Sequence, residues 1–317
     1  MKKKLILMLT LAAVGGVTLA GCSNSASTKK VTESTATTSE KNKNSTKGDD
    51  LTTILAKTDW QGTRVYDKDN NDLTAENANF IGLAKYDGTT GHYEFFDKET
   101  GESRGDEGTF FITADGAKRI LISTSQNYQA VVDLTDVTNE KFTYKRMGKD
   151  QNGKEVEVFV EHVPYEKKEL AFTNEPQKLT TSTGKTVTNE DGNQLLGETL
   201  WNGTKVVDED GNDVTAENQM FISLAKFDAA TNKYEFFDKT SGKSRGDFGY
   251  FKVLDHNKVR AHVSLGENKY GAVLELTELN DKQFTYTRMG KDKAGEEIKV
   301  FVEHKPYTGD LSPDFTF

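Results

Sequence analysis

Five histidines, one cysteine and several closely spaced acids are the residues of this 317-residue chain that could carry chemistry. His92, His162, His256, His262 and His304 are scattered, and only His162 and His304 share a context, Glu-His-x-Pro-Tyr. Glu161 and His162 are neighbours on an extended segment, so their side chains point to opposite faces and cannot share one metal or one proton. On this reading the His ends a strand that Pro164 stops from continuing. The chain has no zinc spacing, nucleophile elbow or phosphate loop. Asp67-x-Asp69-x-Asn71 and Asp208-x-Asp210-x-Asn212 open like a calcium loop, but Asp72 and Ala78 stand where such a loop needs Gly and Glu. Turn formation accounts for these acids. No metal, no cofactor and no catalytic residue is expected, and the chain reads as a non-enzyme.

Cys22 is the only cysteine, so no intramolecular disulfide and no Cys-based zinc site can form. It follows Lys2, Lys3 and Lys4 and an apolar run from Leu5 to Leu19, which is shorter than the roughly 20 residues a membrane span needs. That pattern is a signal peptide over residues 1–22. Leu19-Ala20-Gly21-Cys22 resembles the lipobox of bacterial lipoproteins. The resemblance implies a mature chain beginning at Cys22, a diacylglycerol on its thiol, and a lipid anchor on the extracellular face of the cell membrane. Leaders of this kind are processed into peptide signals in some Gram-positive bacteria, and Val14 to Gly21 has the apolar character for it. Residues 23–50 are almost wholly Ser, Thr, Lys, Asn and Glu, a disordered tether with an end-to-end distance of roughly 30 Å. Such a tether suits a Gram-positive surface.

The elements that position everything else follow from an internal duplication. Trp60-Gln61-Gly62-Thr63 recurs as Trp201-Asn202-Gly203-Thr204, Leu73 to Asn77 as Val214 to Asn218, Tyr93 to Lys98 as Tyr234 to Lys239, and Val158 to His162 as Val300 to His304. The copies span 51–165 and 194–310, joined by a polar, Thr-rich linker at 166–193, so each is expected to fold and melt on its own. Within the first copy a period of two, broken by turn residues, predicts eight strands near 59–67, 80–87, 91–97, 106–113, 118–124, 128–135, 141–147 and 154–163. Short links favour a meander, whose eight strands either close into an up-and-down barrel or fold as a sandwich, and closure removes the exposed edges. The fold class is therefore all-β, with two tandem eight-stranded antiparallel meander barrels. Thr74 is placed to cap a helical turn over 75–79.

On the predicted seventh strand, Phe142, Tyr144 and Arg146 face one way and Thr143, Lys145 and Met147 the other, and Phe284, Tyr286 and Arg288 repeat the first face. An early Trp beside Gly with a late Arg, Trp60 with Arg146 and Trp201 with Arg288, resembles the lipocalin and fatty-acid-binding superfamily. That likeness implies a Trp plugging one barrel end with the basic residue packed over it. The chain as a whole is similar to tandem domains of unknown function on Gram-positive surface lipoproteins.

A barrel of this size is filled by side chains or holds one small ligand, and an inward Arg needs a partner, either internal or the anionic group of a ligand. Arg104-Gly105-Asp106 and Arg245-Gly246-Asp247, placed in a hairpin connection, match the tripeptide that integrins read. Leu121 with His262, Ile120 with Ala261 and Thr109 with Tyr250 are equivalent positions that differ, and those inside would give the copies different ligand preferences. The expected function is a surface lipoprotein displaying two binding modules for a small apolar or anionic ligand. The alternative is an adhesin or structural surface protein contacting host or envelope proteins. A formal charge of −9 speaks against nucleic acid, which requires a concentrated basic surface.

Overall fold

The computed structural model describes residues 45–176, 188 and 190–317. The leader 1–22 with Cys22, residues 23–44 of the tether, and 177–187 and 189 of the linker lie outside the described residues.

Each copy opens on a helix that the sequence reading lacked. Thr46 and Asp49 form a capping box, the Thr46 hydroxyl accepting from Asp49 N at 3.2 Å and the Asp49 carboxylate from Thr46 N at 3.0 Å, and this starts α1 (Lys47–Ala56). The tether expected to reach residue 50 thus gives way to helix at Lys47. Gly48 allows the helix to press on the barrel, because a Cβ there would collide with the Thr113 carbonyl. In the second copy Asp191 caps the shorter α2 (Gly192–Gly197).

The strands follow the expected spacing: β1 (Trp60–Tyr66), β2 (Leu83–Tyr86), β3 (His92–Phe96), β4 (Ser103–Ile112), β5 (Lys118–Ser123), β6 (Tyr128–Val137), β7 (Phe142–Lys149) and β8 (Glu155–Pro164). Each pairs antiparallel with the next, and β1 pairs with β8 to close the barrel. The second copy repeats this with β9 (Trp201–Asp208), β10 (Leu224–Asp228), β11 (Lys233–Phe237), β12 (Ser244–Leu254), β13 (Val259–Ser264), β14 (Gly271–Leu279), β15 (Phe284–Lys291) and β16 (Glu297–Pro306). Thr74 does not cap the turn that follows it. Its hydroxyl accepts from Val65 N at 2.9 Å, and the short 3-10 turn begins later, at Ala78–Phe80. The repeated Asn77 and Asn218 are latches: Asn77 donates to the Leu73 and Lys149 carbonyls and accepts from Lys149 N, tying the loop after β1 to the end of β7.

Two segments change the domain picture. Residues after β8, read as linker, cross the outer face of the first barrel as a strap: Leu170 N donates to Asp59 at 2.7 Å, and Thr173 donates to Glu94 through its backbone N and its hydroxyl. The end of the chain does the same over the second barrel, where Thr316 donates to Glu235 in the same two ways. The barrels also meet. All but the first residue of β5, and the whole of β13, are buried although alternate residues face outward, because Phe111, Ile120 and Ile122 pack against Tyr250, Ala261 and Val263. Lys252 reaches Asp49 at 2.7 Å, and Ala114 N donates to the Asn232 side chain at 2.7 Å. Each barrel therefore covers apolar surface of the other, a contact that the expectation of separate folding and melting did not include.

Candidate functional site

At one end of the first barrel Trp60 is fully buried, and its Nε1 donates to the Leu55 carbonyl of α1 at 2.8 Å. Its ring meets Phe142 edge to face at 4.9 Å, and Phe142 stacks on His162 at 4.4 Å. Helix, Trp and stacked rings close this end. His162 stands near the end of β8, which stops at Pro164 as expected, and it points into the barrel, where burial, aided by the charge of Arg119, lowers its pKa to about 3. His304 repeats this on Phe284 at 4.3 Å, its pKa likewise about 3. Trp201 donates to Leu196 of α2 and packs edgewise on Phe284 at 5.0 Å.

Of the expected interior set, Trp60, Phe142 and Tyr144, with Trp201, Phe284 and Tyr286, lie inside. Arg146 and Arg288 do not form the plug. Both are exposed, each 3.8 Å over an aromatic ring, Phe80 and Phe221 respectively. The strand alternation is as expected, but β7 rises from the closed end at Phe142 to the open end at Arg146. Among the described residues the arginines inside the barrels are instead Arg119 of β5 and Arg260 of β13, each 2% exposed. Arg119 donates to the Tyr86 hydroxyl at 2.7 Å and lies 4.4 Å from the centre of the Tyr144 ring, while its Nε has no hydrogen-bond partner. Arg260 sits 4.6 Å from Tyr286 with both Nε and Nη1 unpartnered. Sequence reasoning missed them, although an arginine repeated in register within Arg-Ile-Leu-Ile and Arg-Ala-His-Val is a visible signal.

Above Arg119 the first barrel holds a cavity of about 320 Å³, lined by Tyr86, Leu121, Val132 and Tyr144, with Arg104 and Arg146 at its rim. The tripeptides do not sit in hairpin connections. They open β4 and β12, and Asp106 accepts from Tyr93, Ser123 and Tyr128 at 2.8–3.1 Å. Asp247 accepts likewise from Tyr234 and Tyr270. Gly105 and Gly246, with φ of 64° and 70°, supply the left-handed backbone that turns each Asp toward its barrel. Arg104 donates to the Asn79 carbonyl, and Arg245 to that of Ile222. Among the differing positions, Leu121 and His262 line their interiors, whereas Ile120, Ala261 and Tyr250 face the other barrel. Asp67 and Asp208 each fold their carboxylates onto the backbone N of Asp69 and Asn71, or Asp210 and Asn212, as turn formation predicts.

The two barrels coincide with a known sequence unit. A family described as a domain of unknown function, DUF4822, matches residues 52–172 and 193–315. The chain belongs to this family. Both DUF4822 matches run past β8 and β16 into the straps, which makes the strap part of the domain. No curated protein matches. Among solved structures, a protein of unknown function of the DUF3598 family from Nostoc punctiforme is 10% identical over 82% of this chain and 99% of its own, with a TM-score of 0.22. A candidate thioesterase II from Thermobifida fusca is 9% identical over 60% and 76%, with a TM-score of 0.10. Neither likeness at these scores bears on the function of the DUF4822 chain.

Proposed function

We propose that the chain is a non-enzymatic binding protein, lipid-anchored through Cys22 on a Gram-positive cell surface, whose first barrel takes up a small molecule with an anionic group on an apolar or aromatic body. The observation that carries this reading is Arg119, which lines the cavity, is buried, and keeps an Nε without a partner. Among the described residues no carboxylate lies within ion-pair reach of Arg119, so its charge is offset by the phenols of Tyr86 and Tyr144 and by ring faces. A buried guanidinium is costly without hydrogen-bonded compensation, and a ligand carboxylate, sulfonate or phosphate supplies it in the bidentate form that Arg favours. A volume of about 320 Å³ falls at the small end of ligand pockets. The second barrel puts His262 beside Tyr270 where the first has Leu121, so its ligand would be more polar. The adhesin reading has weaker support, since Asp106 and Asp247 spend their carboxylates inside the protein.

The test uses 1-anilinonaphthalene-8-sulfonate, an anionic aromatic fluorophore, with native mass spectrometry of the mature chain for any co-purifying small molecule. Saturable binding that weakens about tenfold or more in Arg119→Met is expected, the loss of one charge-assisted pair. Equal affinity in wild type and variant would reject the cavity as the site.

A further inference from the structure

We propose that His92, Glu94 and Glu107 form a divalent-metal site on the outer face of the first barrel, beneath the strap, with a donor set suited to Zn²⁺. The inference does not depend on the interior cavity, from which these residues point away. His92 and Glu94 are two apart on β3 and share its outer face, because Tyr93 between them is in the core. Glu107 on β4 stands directly opposite Glu94 in the strand register. One ligand atom from each of the three lies within 4.8 Å of the others.

Two facts separate this group from a chance cluster of acids. His92 is 8% exposed, and its Nε2 has no hydrogen-bond partner. The Glu107 Oε2 atom, 3.7 Å away, is buried and equally unpartnered. A separation of 3.7 Å is too long for a hydrogen bond but close to the roughly 3.4 Å between donors that each lie about 2.1 Å from a tetrahedral zinc. Two carboxylates opposed across an antiparallel pair also repel one another, which a cation between them reverses.

The remaining oxygens are held as metal ligands usually are. Thr173 donates to both oxygens of Glu94, Ser103 of β4 donates to Glu94 Oε1 as well, and Asn174 donates to Glu107 Oε1 at 2.7 Å, so strap and strand together orient the carboxylates. Phe172 packs on the imidazole at 4.6 Å. A cavity of about 230 Å³ adjoins His92 and Glu107, lined also by Glu175 of the strap and by Asp255 and Val259 of the second copy, which leaves room for water to complete the coordination. One imidazole with two carboxylates suits zinc and neighbouring first-row metals.

The second copy shows what the fold alone requires. There Glu235 keeps its Thr316 bonds, but Lys233 replaces His92 and Phe248 replaces Glu107. Lys233 donates to the Phe317 carbonyl at 2.6 Å, and Phe248 stacks on Phe317 at 4.6 Å. A strap is thus pinned without His or a second Glu, and the first copy's pair has another use.

The full mature chain, stripped with EDTA, is titrated with Zn²⁺ by calorimetry, and its melting temperature is followed with and without the metal. One equivalent should bind and raise the melting temperature. His92→Gln and Glu107→Gln should each weaken binding by about tenfold or more while melting like wild type in EDTA. His92→Lys installs the second copy's residue and serves as the folded comparison if either variant fails to fold. Absence of binding at micromolar Zn²⁺, or binding that survives these substitutions, would overturn the proposal, the latter placing the metal on exposed acids.

Discussion

The buried histidines should make the barrels sensitive to mild acid. His162 is 5% exposed and His304 2%, each stacked on a Phe ring, with a pKa depressed to about 3 mainly by burial. An unfolded histidine titrates near 6.5. Between these values the unfolded chain binds a proton that the folded chain refuses, so stability is complete above about pH 6.5 and falls as pH drops. At about pH 5 the unfolded imidazole is protonated by roughly thirty to one while the folded one stays neutral, which costs about 2 kcal/mol per residue. His162 and His304 together should remove about 4 kcal/mol between about pH 8 and 5, a large part of the roughly 5–15 kcal/mol available to a domain. His262, whose pKa burial also lowers well below the usual range, acts in the same direction. Carboxylates with lowered pKa values, such as Asp49, lose their contribution only below about pH 4 and leave this window clear.

Urea unfolding of the full chain at both pH values measures the drop, and His162→Gln tests its source. Any packing cost of the substitution is the same at both pH values, so the comparison lies in the difference between them. The variant should lose about 2 kcal/mol less than wild type on acidification. A wild-type drop below about 1 kcal/mol, or an undiminished drop in the variant, would refute burial of a neutral imidazole.

The strand positions were legible because turn residues punctuate a period of two, and the closed DUF4822 barrel, rather than a sandwich, was favoured because closure removes exposed edges. Depth along a strand was not legible. Alternation puts Phe142, Tyr144 and Arg146 on one face but does not say that β7 runs from the Trp60 plug to the open rim, which is why Arg146 was taken for the buried cation in place of Arg119. The tripeptide was placed in a hairpin because Gly-Asp reads as a turn, whereas Gly105 serves a register shift between β3 and β4. The metal-ligand group spans two strands and a strap, and no spacing within one segment encodes it. Two signals were present and unread: Thr46-x-x-Asp49 inside a tether-like composition, and Phe172-Thr173 repeated as Phe315-Thr316. The second marks the domain end, because these threonines hold Glu94 and Glu235.

Trp60→Ala should destabilise the first barrel by about 3–5 kcal/mol, read by urea unfolding, since it empties the plug and orphans the Leu55 carbonyl. Cys22→Ser should release the protein to the medium or leave an unprocessed precursor, seen by cell fractionation; a fully processed, membrane-bound variant would contradict the anchor. The last prediction concerns coupling of the barrels. Ile122 packs within the cluster that joins Ile120 and Phe111 to Tyr250 and Val263, and Gly271 approaches it so closely that a Cβ there would collide. Ile122→Asp puts an unpaired carboxylate into that contact, at a cost of several kcal/mol. Trp60 and Trp201 report on one barrel each, so Trp201→Phe and Trp60→Phe variants let fluorescence follow each barrel separately. In the otherwise wild-type chain both reporters should melt together, because either barrel alone exposes the apolar strand that the other covers. With Ile122→Asp the two midpoints should separate. Distinct midpoints before the substitution would mean that the β5–β13 contact contributes nothing to cooperativity.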